Sequence, residues 1–356
     1  MMNVSAKTAG FTPLTVAQAA DRLADLARSG KKLIFICHQN PDGDTVGSAF
    51  ALKELYKALG GTASVGCCAD APAYLRFLCG DQRSMRIEAS ALENWDAVCA
   101  VDVAAPVQLG ALAGALEGRV DMMIDHHASG QAFAPYLTVP EAAAAGEIVY
   151  DIYREFVNSG RIKENYEICM RLYAAISSDT GSFRFSNASP KTYITAGLLV
   201  EVIDRQVPGC HADIARRLHD SRTLADLRAE KLAIENLKVR CGGKLAYVCI
   251  TADMMEKNGL REVDTGRIVD VPRSVEGVQV GFTVKQNRID RKSFRISSRS
   301  NGEIDVSTVC AAFGGGGHAK AAGGSVSADS PEEAEEIIAK AFEKAVESWS
   351  KGEADE

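Results

Sequence analysis

The sequence predicts an α/β protein: a large N-terminal domain with a mainly parallel, doubly wound sheet, a helical linker and a smaller C-terminal α/β domain. Three observations lead there. Short apolar runs alternate with helical patterns up to about residue 200, the order in which parallel strands and crossover helices succeed one another. The chain then turns polar in "DRQVPGCHADIARRLHDSRT" before the alternation resumes. Its 356 residues are long for one domain and comfortable for two. The domains are therefore drawn at 1–203 and 223–350, with 204–222 as a partly helical linker.

In order along the chain, "KLIFIC" (32–37) is the first strand. A helix of about 45–59 follows, in which Val46, Phe50, Leu52, Leu55 and Leu59 mostly share a face. "TASVGC" (62–67), "AVCAVDV" (97–103) and "VDMMID" (120–125) are the next strands, and helices follow at about 144–158, 164–178 and 190–203. Beyond the linker the pattern predicts a helix at about 222–239 and strands near 244–250, 278–285 and 293–298. A short helix at 305–313, a glycine run and a charged helix at 331–349 complete the second domain.

Composition excludes several classes. The hydrophobic share is 46% and the charged share 24%, ordinary for a globular chain, and no apolar stretch approaches the roughly 20 residues a membrane span needs. A net charge of −7 argues against coating long nucleic acid and leaves open a small phosphorylated substrate in a local basic pocket. Ten cysteines occur without a C-x-x-C pair, most of them inside apolar patterns. With an N-terminus that reads as a polar arm and an amphipathic helix, they predict free thiols and a cytoplasmic location.

Ligands collect at the carboxyl ends of parallel strands, and those ends carry acids and imidazoles here. "KLIFIC" runs into His38, Asp42 and Asp44; "AVCAVDV" ends at Asp102; "VDMMID" ends at Asp125, His126 and His127; the helix at 164–178 delivers Asp179. Each has an ordinary explanation alone: Asp42 as a Pro-Asp-Gly turn residue, Asp102 as a helix cap, Asp179 as a cap or turn, a histidine as a packed or surface residue. Their joint arrival at one edge is what those explanations leave unaccounted for. Asp42, Asp44, Asp102 and Asp179 would repel one another strongly without cations, and two divalent ions would balance them. Carboxylates mixed with imidazoles suit Mn²⁺ better than Ca²⁺, with Mg²⁺ or Co²⁺ as alternatives, and thiolate spacing for structural zinc is absent. Two metals about 3.5–4 Å apart activate a water and clamp a phosphoryl oxygen, which is phosphoester hydrolysis.

"HQNPDGD", "VDVA", "DHH" and "SSDTGSFRFSN", in this order, resemble the four motifs of the DHH phosphoesterases. "FRISSRS…DVSTVCAAFGGGGHAKAAGG" (294–324) resembles the DHH-associated C-terminal domain of the RecJ-like branch. The resemblance covers about 15–345 and is strongest to the bifunctional nanoRNase/pAp phosphatase subgroup. It implies one metal held by His38, Asp42 and Asp102 and a second by Asp44, Asp102, His126 and Asp179, with Asp102 bridging. It further implies Asp125 as the group that orients a histidine and His127 as the residue facing the substrate phosphate. Two positions depart from the family pattern: Gln108 stands where an Arg is frequent and Gly130 where an Asn is frequent. Both put loop packing or substrate contacts in question rather than the metal ligands.

The glycine run suggests backbone N–H groups that cradle a phosphate; Gly315, Gly316 and Gly317 are its candidates. Arg299 in "SSRS" and His318 resemble the family's substrate-holding pair, and the adjacent Ser300 is a further candidate for substrate contact. Arg295 and Arg299 share a strand face, whereas Arg288, Arg291 and Lys292 are expected to form a solvated hairpin turn. Arg184 is a further phosphate ligand candidate, and His211 and His219, without acidic company in the linker, are given no role. The resulting expectation is an Mn²⁺-dependent phosphoesterase with its active site in the interdomain cleft. It would act on short oligonucleotides or on the 3′-phosphate of pAp, not on long nucleic acid or at a membrane. Rival expectations are a phosphodiesterase for linear dinucleotides and a non-catalytic nucleotide-binding regulator. The oligomeric state, including a homodimer, is left open.

Overall fold

In the computed structural model, which describes residues 10–128, 130–261 and 265–354, the chain divides into two units, Met1–Ser221 and Arg222–Glu356. The first unit runs α1 (Val16–Arg28), β1 (Lys32–Ile36), α2 (Gly43–Ala58), β2 (Thr62–Gly66), β3 (Ala97–Val101), α3 (Ala113–Leu116), β4 (Met122–Asp125), β5 (Tyr136–Thr138), α4 (Ala145–Asn158), α5 (Tyr166–Asp179), α6 (Pro190–Gln206) and α7 (Cys210–Ala215). Its five strands lie in the order β2-β1-β3-β4-β5 and every pairing is parallel.

Alternation along each strand feeds two cores. Leu33, Phe35, Cys99, Val101 and Ile124 face the larger one, shared with α1, α2, α4 and α5. Ile34, Ile36, Val98, Ala100 and Met123 face a smaller one with Leu109, Leu112 and Leu116. The close approach of α2 to α5 depends on Gly47, where a Cβ would come within 2.7 Å of the Arg171 carbonyl oxygen.

The polar stretch read as a partly helical linker falls within this unit as far as Ser221. After α7 it makes one wide π-type turn, Arg216–Asp220, and buries Ile214 and Leu218 in the larger core.

The second unit contains α8 (Leu224–Glu235), β6 (Leu237–Arg240), β7 (Leu245–Ile250), α9 (Ala252–Lys257), α10 (Asp270–Arg273), β8 (Val280–Gln286), β9 (Ser293–Ser300), α11 (Val306–Ala311), β10 (Gly316–His318), β11 (Ala321–Ser327) and α12 (Pro331–Ala354). The sheet order is β10-β11-β9-β8-β7-β6, with only β7–β8 parallel. Tyr247, Phe282 and Phe342 stack through its core at ring separations of 4.8 and 4.6 Å.

Two expectations change here. The helix expected to reach 239 ends at Glu235, where Asn236 turns back to the Ala233 carbonyl, and Leu237–Arg240 pairs antiparallel with β7. The glycine run, read as a loop, enters the β10–β11 hairpin, with Gly316 opposite Gly323 and Gly317 opposite Ala322. A Cβ on Gly315 would press into the Gly323 carbonyl oxygen, so glycine is there to let two backbones meet. Among the described residues no helix is long and apolar enough to cross a membrane, and all ten cysteines are free.

Candidate metal centre

Because β1, β3 and β4 are parallel neighbours, their C-terminal ends reach one edge of the sheet. His38 follows β1. Asp42 is the N-cap of α2: its Oδ1 accepts from the N–H groups of Asp44 (3.0 Å) and Thr45 (3.1 Å), while its Oδ2 lies 3.5 Å from His38 Nε2. Asp44, fully buried in the first turn of α2, accepts from the N–H of Ala145 (2.6 Å), the N–H of Gly146 (3.0 Å) and the Ser48 hydroxyl (2.9 Å).

Asp102 follows β3 in a left-handed conformation, φ 59°, which a non-glycine residue adopts at a cost of about 1–3 kcal/mol. Its N–H donates to Ile124 O at 2.8 Å, which holds the bend. The bend gives the carboxylate two faces: Oδ2 is 3.4 Å from His38 Nε2 and Oδ1 is 3.6 Å from His126 Nε2. His126 Nδ1 donates to the Ala142 carbonyl at 3.2 Å, so its Nε2 turns to Asp179 Oδ2 (3.3 Å), Asp102 and Asp44 Oδ2 (3.7 Å). His127 Nδ1 is 2.7 Å from Asp125 Oδ1 and 3.6 Å from Asp102 Oδ1.

Three sets, His38–Asp42–Asp102, Asp44–His126–Asp179 and Asp102–His126–His127, each bring one ligand atom per residue within 4.8 Å of the others. The donor chemistry fits a cation. Asp102 Oδ1 is buried and has no hydrogen-bond donor among the described residues, an arrangement that costs about 1–3 kcal/mol unless something positive meets it.

The charges tell the same story. Burial, with Asp102 and Asp179 nearby, pushes the Asp44 carboxyl well above its usual range. Burial takes Asp179 up to about 6, against the hydrogen bond from His126. Burial alone would lower the imidazoles, but Asp42 and Asp102 outweigh it at His38, and Asp179, Asp44 and Asp102 carry His126 up to about 11. At His127 Asp125 likewise wins over burial. At Asp42 the His38 imidazole and two N–H donors overcome desolvation and hold the carboxyl low. Without ions, protons on histidine do the neutralising.

Arg184 is exposed, and its Nε donates to Gly181 O at 2.7 Å; it follows three left-handed residues, Gly181, Ser182 and Phe183. In the second unit Arg299 is half-buried with Nη1 on Ser298 O at 2.9 Å, and burial lowers its guanidinium from the usual range. Ser300 Oγ donates to Gly302 O at 3.1 Å. Arg299 and His318 both pair with Ala321, from either side of β11; the His318 side chain lies outside the described residues. Arg295 is exposed on the Arg299 face. The hairpin cations are not merely solvated: Arg291 pairs with Asp253 at 2.6 Å, Lys292 with Asp329 at 2.8 Å and Arg288 with Glu256 at 3.9 Å.

The two departures are absorbed locally. Gln108 Oε1 accepts from the N–H groups of Ala104 (2.6 Å) and Ala105 (3.2 Å), closing the turn after Asp102, and a Cβ at Gly130 would approach the Ala104 carbonyl oxygen to 2.8 Å. His211, expected to lack acidic company, pairs with Asp204 at 3.0 Å, seven residues back across the end of α6. His219 Nε2 meets the Ser177 hydroxyl at 3.1 Å. The supports at Ala142, Ala145 and Gly146 were missed because backbone groups carry no residue signature.

Similarity to known proteins accords with this geometry. A bifunctional oligoribonuclease and PAP phosphatase NrnA of Thermus thermophilus is 29% identical over 85% of this chain and 86% of its own. The protein of that name from Bacillus subtilis is 28% identical over 61% of this chain and 66% of its own. The crystal structure of an exopolyphosphatase-related protein from Bacteroides fragilis matches the fold with a TM-score of 0.80, at 22% identity over 93% of this chain and 96% of that one. Residues 32–176 match the DHH family N-terminal domain and residues 242–348 the DHHA1 domain; the chain belongs to the DHH phosphoesterases.

Proposed function

We propose that this enzyme hydrolyses short oligonucleotides and the 3′-phosphate of pAp with two divalent ions, Mn²⁺ by preference. The observation that carries the proposal is Asp102, whose two oxygens face different histidines, one of them buried without a donor. His38, Asp42 and Asp102 would hold one ion, and Asp44, Asp102, His126 and Asp179 the other. Such a pair activates water and neutralises phosphoryl charge. His127, oriented through Nδ1 by Asp125, is left to donate from Nε2 to a phosphate oxygen. Arg184 contributes a cation to the same phosphate. In this reading Arg299, Ser300, the Gly315–Gly317 backbone and His318 grip the rest of the nucleotide. A net charge of −7 disfavours long polyanions, and ten unpaired thiols fit the reducing cytoplasm.

The test is a panel of pAp, a trinucleotide RNA, a long single strand, a linear dinucleotide and pyrophosphate, each with Mn²⁺ and with chelator. Chelator-sensitive turnover of pAp and the trimer is expected. Preference for the long strand or for pyrophosphate would overturn the substrate assignment, and turnover indifferent to chelator would overturn the metal assignment.

A further inference from the structure

Glu147 stands in the first turn of α4 and is 1% exposed. One carboxyl oxygen, Oε2, accepts from the Ala143 N–H at 3.3 Å; the other has no hydrogen-bond partner among the described residues. A glutamate here ordinarily serves its own helix. That duty is already taken, because the N–H groups of Ala145 and Gly146 go to Asp44. The N–H that Glu147 accepts lies one residue before the helix cap at Ala144.

The peptide it holds is the informative one. Ala143 N–H and Ala142 C=O belong to the same planar amide and point in opposite directions. The Ala142 oxygen accepts from His126 Nδ1 at 3.2 Å. A continuous chain therefore runs from the Glu147 carboxyl through one peptide group to the imidazole whose Nε2 faces Asp44, Asp102 and Asp179. Hydrogen bonds in series polarise one another, and an acceptor behind a ligating histidine fixes its tautomer and raises its basicity. We infer that Glu147 is a positioning residue for the metal centre, acting on His126 through the Ala142–Ala143 peptide. The inference rests on the metal reading above and adds the group that sets His126.

The test uses the full chain, Glu147→Ala and Glu147→Gln, with Mn²⁺ affinity from calorimetry and the histidine ¹⁵N spectrum of metal-free protein. Glu147→Ala should lose about 10–100-fold in Mn²⁺ affinity, the usual range for removing such a support, and should shift the His126 Nδ1–H signal. Glu147→Gln, which keeps an acceptor oxygen, should recover most of both. If Glu147→Ala lowers only the melting temperature, leaving affinity within twofold and the signal in place, Glu147 is a helix-end residue and the inference fails. Should the alanine variant not fold, the wild-type spectrum still decides: absence of a protected Nδ1–H on His126 refutes the relay. His126→Ala separates the two readings, since unaltered Mn²⁺ binding there would overturn the metal centre itself.

Discussion

Asp102→Asn is the sharpest perturbation of the centre, because two opposite effects are expected from one atom. Asparagine is among the few residues that tolerate a left-handed backbone, so the bend at φ 59° and the bond to Ile124 should persist. Removing the charge takes one of four crowded carboxylates away and relieves Asp44, which Asp102 helps push upward. It also takes a buried partner from the His38 and His126 imidazoles, and with these effects opposed the metal-free variant should melt close to wild type. With Mn²⁺ the two proteins should separate. An ion at a hundredfold excess over its Kd stabilises by about 2.7 kcal/mol. For a unit the size of Met1–Ser221, that corresponds to about 5–11 °C at about 2–4 °C per kcal/mol. The variant should lose this shift, since an amide donor would then face the cation. If the bridging charge supplies about 4 kcal/mol of transition-state stabilisation, turnover falls about 10³-fold. Differential scanning calorimetry with and without Mn²⁺, beside a pAp assay, reads both. A variant that keeps its Mn²⁺-induced shift and near-normal turnover refutes the bridging role.

Other outcomes can be stated briefly. Asp42→Asn keeps a good N-cap but loses a carboxylate, so stability should stay within about 0.5 kcal/mol while turnover drops at least about 100-fold; Asp42→Ala should add about 1 kcal/mol of destabilisation. Mn²⁺ binding near pH 7 should release protons, because His126, held up to about 11, must give one up to ligate. Affinity should consequently rise with pH, and calorimetry in buffers of different ionisation enthalpy that shows no proton release would contradict this. Gly315→Ala forces a methyl into the Gly323 carbonyl and should cost the second unit about 1–3 kcal/mol, visible as a lower denaturation midpoint; an unchanged midpoint would show that the hairpin can shift.

Much of the first unit was legible because strands buried on both faces read as unbroken apolar runs, as "KLIFI" does, and because parallel order forces their ends together. That logic brings His38, Asp102 and the Asp125–His127 triplet to one edge from the sequence alone. It could not foresee the left-handed backbone of Asp102, which follows from its place between β3 and Ile124 rather than from residue type. Nor could it find Ala142 or Glu147, where an ordinary helix-start glutamate becomes notable only through burial. In the second unit Leu237–Arg240 extended a helical pattern without a break, and only pairing with β7 made it a strand. In one dimension the glycine run reads as a phosphate-cradling loop; in the sheet Gly316 stands opposite Gly323 and Gly315 lets its backbone meet the Gly323 carbonyl.

Asp44 enters the centre already held by two amides and a hydroxyl. Its rotamer is thus chosen during folding, when α2 and α4 come together, and not by an arriving ion. Cation capture should therefore rearrange water and protons while leaving the chain nearly still. An enzyme so constructed would keep its shape between turnovers. Its metal dependence is then a matter of chemistry supplied to a finished frame, and the frame itself should survive chelation.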